Sequence, residues 1–139
     1  MKPSVSEIRV EQGIGVIENL FFLQMFFPYR WHPDIIDTQM LQVGNIIIAA
    51  VPGEFTTMAG RRLKRVLENT IFDVTQGTEN LKVVVAGLSN AYTHYITTHE
   101  EYQKQRYEAA STIFGPHTLR AYLEQYAYLT EKMLNVSYH

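Results

Sequence analysis

Apolar positions from residue 34 onward recur with two different periods, and each change of period marks a new element. Ile35-Ile36 and Met40-Leu41 lead to Gly44-Asn45, and Ile46-Ile47-Ile48-Ala49-Ala50-Val51 follows as a β-branched run. This pattern predicts two strands joined at Val43-Gly44-Asn45-Ile46. Pro52-Gly53 stops the second strand. Beyond it Phe55, Met58, Ala59, Leu63, Val66 and Leu67 recur on one face of a predicted helix. Glu54 therefore stands where a strand ends and a helix begins. Arg61, Arg62, Lys64 and Arg65 fall on the opposite face and read as a solvated surface.

Asp73 to Asn80 is polar, contains Gly77 and reads as a loop. The next strand, Leu81 to Leu88, has so few polar positions that it is expected to be buried on both faces, as in a sheet covered by helices. Ser89-Asn90-Ala91 breaks it, and the polar, aromatic stretch Tyr92 to Thr98 follows at its carboxyl end, where open α/β sheets tend to hold ligands. Thr98-His99-Glu100-Glu101 fits a capping box and predicts a helix from His99 to about Ser111. Gly115-Pro116 ends that unit. A last helix from about His117 carries Leu119, Tyr122, Leu123, Tyr126 and Met133 on one stripe. The fold class expected is α/β, with strands of a mixed sheet flanked by helices.

The segment from Ile14 to Pro28 is the most apolar and is rich in Phe, but Glu18, Asn19 and Gln24 interrupt it. It is shorter than the roughly 20 apolar residues that span a bilayer. A signal peptide fits less well than a packed element, since no small-residue cleavage site follows and Pro28-Tyr29-Arg30-Trp31 comes instead. Asn135-Val136-Ser137 is a glycosylation sequon, which matters only in a secreted chain. In composition, the 139 residues are 46% hydrophobic and 19% charged, with net charge −2, which describes one ordinary domain without the basic footprint that binds nucleic acid. Nucleic acid is not an expected partner. The absence of cysteine excludes disulfides, thiolate metal sites and cysteine nucleophiles.

The polar groups expected to converge are Glu54, Tyr92, His94, Tyr95, His99 and Tyr107. A carboxylate with imidazole or phenolate groups can form an oxygen and nitrogen metal site. Each residue also has a structural reading: the helix dipole favours Glu54 at a helix start, His94 suits a hydrogen-bonded loop, and His99 and His117 suit first helical turns. A tyrosine more often fills a core with its polar tip satisfied than coordinates a metal.

Four blocks occur in order: Trp31-His32-Pro33-Asp34-Ile35; Val51-Pro52-Gly53-Glu54-Phe55-Thr56-Thr57-Met58-Ala59-Gly60-Arg61-Arg62-Leu63; Asn90-Ala91-Tyr92-Thr93-His94-Tyr95-Ile96-Thr97-Thr98; and Glu100-Glu101-Tyr102 with Gln105-Arg106-Tyr107-Glu108 through Leu119. Together they closely resemble the neutral ceramidases, zinc amidases that cleave the N-acyl bond of ceramide to sphingosine and fatty acid. The resemblance divides the chain into 1–27 without likeness, 28–134 as the closing part of a catalytic domain, and a tail, 135–139. Arg30 stands where the family tends to have proline.

The resemblance implies that Glu54 and Tyr95 are zinc ligands and that Tyr107 lines the active site near the substrate amide. It leaves His94, His99 and His117 with their structural readings. The zinc cofactor's two histidine ligands and the serine nucleophile are expected outside this chain. The chain by itself is accordingly expected to bind zinc weakly and to be inactive or nearly so. The expected partners are ceramide and related sphingolipids, the remainder of the catalytic domain, and a membrane surface touched without spanning it. The expected address is secreted, cell-surface or secretory-pathway. The alternative is a truncated, inactive remnant that acts as a lipid- or partner-binding module.

Overall fold

The hairpin at Gly44-Asn45 forms the middle of a four-stranded sheet. The computed structural model describes residues 4–9, 32–33 and 35–137, so the Phe-rich segment, and any signal or packed element in it, lies outside the described residues. In chain order the elements are β1 (Ser4–Arg9), β2 (Ile35–Val43), β3 (Ile46–Ala50), β4 (Glu54–Phe55), α1 (Thr57–Thr75), β5 (Lys82–Ala86), β6 (Tyr95–Ile96), α2 (His99–Tyr102), α3 (Tyr107–Ala110) and α4 (Thr118–Ser137). The sheet order is β1-β2-β3-β5, and β4 pairs with β6 in a second, two-stranded sheet. β1 and β3 both run antiparallel to β2, whereas β5 lies parallel to β3 after the α1 crossover. The sheet is mixed, as expected. The pattern had not predicted β1.

Helices α1 and α4 pack against each other and on one face of the sheet. Alternation along β2 and β3 sends Ile36, Thr38, Met40, Ile47 and Ala49 into that layer. From α1 come Ala59, Leu63, Leu67, Ile71 and Thr75, a stripe at every fourth residue. Met58 is exposed and Phe55 belongs to β4, so neither lies on the core face expected of the helix. The helix also runs into the expected loop and ends where Gln76 turns left-handed, followed by Gly77.

Among the described residues, the strand read as doubly buried is covered on one side only. Val83 is buried, whereas Val84 is 49% exposed. Register places Leu41, Ile48 and Val84 in one row across the open face, with Val43 and Ile46 beside them. A continuous apolar run shows that a strand can be buried twice; a second covering layer must come from elsewhere.

From α4, Leu119, Tyr122, Tyr126, Leu129 and Leu134 complete the core. The Tyr126 hydroxyl donates to Ala50 O, and Tyr122 lies with its hydroxyl 3.3 Å from Thr93 Oγ1. Burial pushes the Tyr122 phenol up to about 12. Because the unfolded phenol ionises near its ordinary value of 10.0, this contribution is complete below that pH and is lost as pH rises towards about 12. Tyr122→Phe is therefore expected to flatten the alkaline limb of a stability profile, measured as the urea midpoint from neutral pH to pH ~12, at a cost of about 1 kcal/mol at neutral pH.

Candidate active site

The candidate residues are brought together by two short strands. β4 and β6 run in parallel with Glu54 opposite Tyr95 and Phe55 opposite Ile96. Glu54 N donates to His94 O at 2.9 Å and Thr56 N to Ile96 O at 3.1 Å. Before β4, Pro52 O accepts from Thr93 N at 2.8 Å and from Thr93 Oγ1 at 3.0 Å. Leu88, Asn90 and His94 all have positive φ, so the chain leaving β5 passes through three left-handed residues other than glycine. For Leu88 and His94 this is a strained conformation of the kind concentrated at functional sites.

Glu54 lies in β4, ahead of the α1 N-cap at Thr56, and the first turn of α1 carries no acidic residue. The helix-dipole reading of Glu54 therefore does not hold. Its partners are phenols: the Tyr92 hydroxyl donates to Glu54 Oε1 at 2.7 Å. This bond first, the Tyr95 hydroxyl second and the nearby His94 ring hold the Glu54 carboxyl below the usual carboxylate range. Tyr95 and Tyr107 hydroxyls are 2.7 Å apart, with the rings edge to face at 5.2 Å. The hydrogen bond to Tyr107, followed by the neighbouring Glu54 carboxylate, raises the Tyr95 phenol well above its ordinary value. Three phenols and one carboxylate thus form a connected polar cluster. A cavity of about 590 Å³ opens beside it, with Tyr95, Phe55, Thr56, Glu101, Lys104 and Arg106 among its lining residues.

The neutral/alkaline non-lysosomal ceramidase N-terminal family model matches residues 18–124. The chain belongs to this ceramidase family. The match reaches upstream of Pro28 into the Phe-rich segment, which carries none of the four blocks. The neutral ceramidase of Drosophila melanogaster is 54% identical over 108 residues, which are 78% of this chain and 15% of that protein. Neutral ceramidase 3 of Arabidopsis thaliana is 48% identical over 112 residues, 81% of this chain and 15% of its own length. The crystal structure of neutral ceramidase from Pseudomonas aeruginosa superposes with a TM-score of 0.71 at 34% identity, covering 78% of this chain and 17% of that one. The ceramidase region here thus spans about 15% of the length of the curated relatives it matches.

Within this ceramidase segment, four of the six polar residues named from the sequence, Glu54, Tyr92, Tyr95 and Tyr107, converge. His94 stands at the edge of the cluster: its ring lies 5.0 Å from that of Tyr92 and stacks on His32 at 5.3 Å, and its Nδ1 is 3.2 Å from Ser111 Oγ. His32, from the first block, is buried and meets Phe114 edge to face at 4.7 Å. His99 and His117 stack on each other at 5.7 Å beside a separate 280 Å³ cavity that Arg62 and Arg120 also line. In the basic cluster on α1, Arg62 pairs with Glu100 at 2.9 Å and Lys64 approaches Glu68 at 3.8 Å, both at the surface.

The helix expected from His99 to Ser111 is two separate turns. The capping box is present, with Thr98 Oγ1 accepting from Glu101 N, but it nucleates only α2. Gln105 is left-handed and Arg106 extended, and this break carries Lys104 and Arg106 to the cavity while α3 returns with Tyr107. Among the described residues no group of three or more His, Cys, Asp or Glu side chains is placed to hold a metal. Glu54 and Tyr95 are two oxygen donors, fewer than the three protein ligands typical of catalytic zinc.

Proposed function

We propose that this chain supplies part of the active site of a zinc-dependent amidase that hydrolyses the N-acyl bond of ceramide, with Glu54 and Tyr95 as zinc ligands and Tyr107 beside the amide. The observation that carries this reading is the convergence of Glu54, Tyr95 and Tyr107, three residues distant in sequence, in a chain that belongs to the ceramidase family. A carboxylate held in its charged form is an oxygen donor that zinc accepts alongside imidazoles, and a phenolate would be a second. Tyr95 is protonated at neutral pH in this arrangement, and the charge of the cation would draw it to the phenolate. Zinc, when bound, supplies Lewis-acid chemistry. Tyr92 orients the Glu54 carboxylate through Oε1. Tyr107, 66% exposed, has a hydroxyl free to turn from Tyr95 towards a developing oxyanion or a ceramide hydroxyl.

The remaining ligands and the nucleophile come from other parts of a ceramidase catalytic domain. The open row Leu41, Ile48 and Val84 supports this, since an apolar sheet face of this kind is ordinarily covered. The same row favours a second reading, a non-catalytic module that binds a partner or lipid. The first reading carries with it a secreted, cell-surface or secretory-pathway address and contact with a membrane surface from which one lipid at a time is drawn. Among the described residues no helix is long and apolar enough to cross a membrane.

Dialysis against Zn²⁺ followed by metal analysis tests the reading. Less than stoichiometric zinc and no release of fatty acid from ceramide are expected for this chain alone, with both restored when the rest of a ceramidase catalytic domain is supplied. Zinc retained one per chain would mean that its own residues complete a site. In the completed enzyme, Tyr107→Phe is expected to lower kcat by roughly ten- to a hundredfold with little change in KM. An unchanged kcat removes Tyr107 from the chemistry.

A further inference from the structure

We propose that Glu101 is a positioning residue, clasping the turns that follow Glu54 and Tyr95 so that the two side chains stay in register. This rests on the assignment of both as zinc ligands. Two strands of two residues form a weak ladder, well short of the three or more strands a stable sheet needs. A slip of one residue would turn Glu54 or Tyr95 to the opposite face. Something beyond the ladder must hold it.

Glu101 Oε2 meets both turns. It accepts from Thr56 Oγ1 at 2.6 Å and from Thr98 N at 2.8 Å. Thr56 lies two residues beyond Glu54, and Thr98 three beyond Tyr95. The bond to Thr98 is half of the α2 capping box and would be present for that reason alone. The bond to Thr56, 45 residues away in the chain, meets no capping need. Thr56 Oγ1 already accepts from Ala59 N at 3.2 Å as the α1 cap, and its proton remains to be donated to Glu101. One carboxylate oxygen therefore ties together the starts of α1 and α2 just past the paired strands. Burial works against the charge of Glu101, and the hydrogen bonds from Thr56 and Thr98 outweigh it, keeping the carboxyl below its ordinary range. The clasp is charge-assisted, and bonds of this kind are the stronger ones.

Amide hydrogen exchange on the full 139-residue chain, without metal, reads the clasp directly. Glu101→Ala is expected to speed exchange at the Glu54 and Thr56 amides by about tenfold or more, while Ile48 and Val84 in the main sheet stay as they are. Glu101→Gln retains an oxygen that accepts both bonds but loses the charge that strengthens them, and is expected to fall between wild type and Glu101→Ala. Faster exchange confined to the Ala59 and Glu101 amides would make Glu101 a helix cap only; a uniform rise would make it a general stabiliser. Either result overturns the proposal, as does a Glu101→Gln chain that behaves like the alanine variant. If Glu101→Ala does not fold, Thr56→Val against Thr56→Ser tests the same link from its other end, with the same amides expected to respond in Thr56→Val only. Zinc titration by calorimetry of a completed ceramidase catalytic domain adds a second readout, with an expected loss of roughly tenfold or more in affinity for Glu101→Ala. A completed wild-type domain that binds no zinc at all would count against the zinc ligands and not against the clasp, which the exchange pattern then decides.

Discussion

Gly53→Ala is expected to destabilise the chain by about 3 kcal/mol and lower Tm by roughly 10 °C, a large effect for one methyl group. A Cβ at Gly53 would lie 2.2 Å from Ile96 Cδ1, 2.7 Å from Thr93 Oγ1 and 2.8 Å from His94 O. The Ile96 side chain has nowhere to go, since the residue is fully buried. The His94 carbonyl is backbone, and it accepts the Glu54 N–H at 2.9 Å. Relief of the clash therefore requires residues 93–96 to move away from β4, which breaks the bond that sets Glu54 opposite Tyr95. Urea unfolding measures the loss, and faster amide exchange at Glu54 shows where it falls. Gly60→Ala is the control: its Cβ meets nothing within 4 Å, it lies within α1, and a gain of about 0.5–1 kcal/mol is expected. Equal effects at both glycines would show that close approach of β6 is not what Gly53 provides.

Glu54→Gln has the largest effect expected on function. The side chain is of the same size and retains an oxygen for the Tyr92 hydroxyl, and Glu54 is not in the core, so a stability change within about 0.5 kcal/mol is expected. What it loses is the negative charge. In a ceramidase chain carrying this region, with Glu54 in its proposed role, loss of that charge is expected to lower kcat/KM for ceramide by at least about a hundredfold and zinc retention with it. Tyr92→Phe leaves the charge and removes only the hydrogen bond, so roughly tenfold is expected. Kinetics with metal analysis of the same preparations separates the two. An active, zinc-replete Glu54→Gln enzyme would remove Glu54 from the ligand set.

The parts of this molecule legible from the chain are those decided by neighbours in sequence. The β2–β3 hairpin follows from alternation around Gly44-Asn45, and the start of α2 from the Thr98 and Glu101 pair, because turns and caps are closed by bonds a few residues apart. The four sequence blocks also marked Glu54, Tyr95 and Tyr107 by likeness to a family, a signal that does not depend on periodicity. Where only the local pattern was used, it overreached. The capping box promised a helix to Ser111, but a cap stabilises one turn, and continuation depends on an apolar face that Gln103 to Arg106 does not have. The run from Leu81 to Leu88 promised burial on both faces, yet what covers a strand is a property of other elements.

The chemistry of Glu54 shows where the division falls. From its place between a strand and a helix, a carboxylate attracted by a helix dipole and a carboxylate in a polar cluster look alike. Pairing of β4 with β6 removes that ambiguity, since it sets Glu54 against Tyr95 and lets the Tyr92 hydroxyl reach Oε1. The sequence by itself determined the family, the residue types of the cluster and most of the elements that carry them. Only the tertiary structure decided that Tyr92 meets Glu54 through Oε1, that His94 is shared between the cluster and Ser111 and His32, that His99 lies apart from it against His117, and that Glu101 meets Thr56. The physical reason is range: capping and periodicity act within a turn or two of the chain, whereas the contact between residues 56 and 101 exists only after α1, β5 and β6 have been laid against one another.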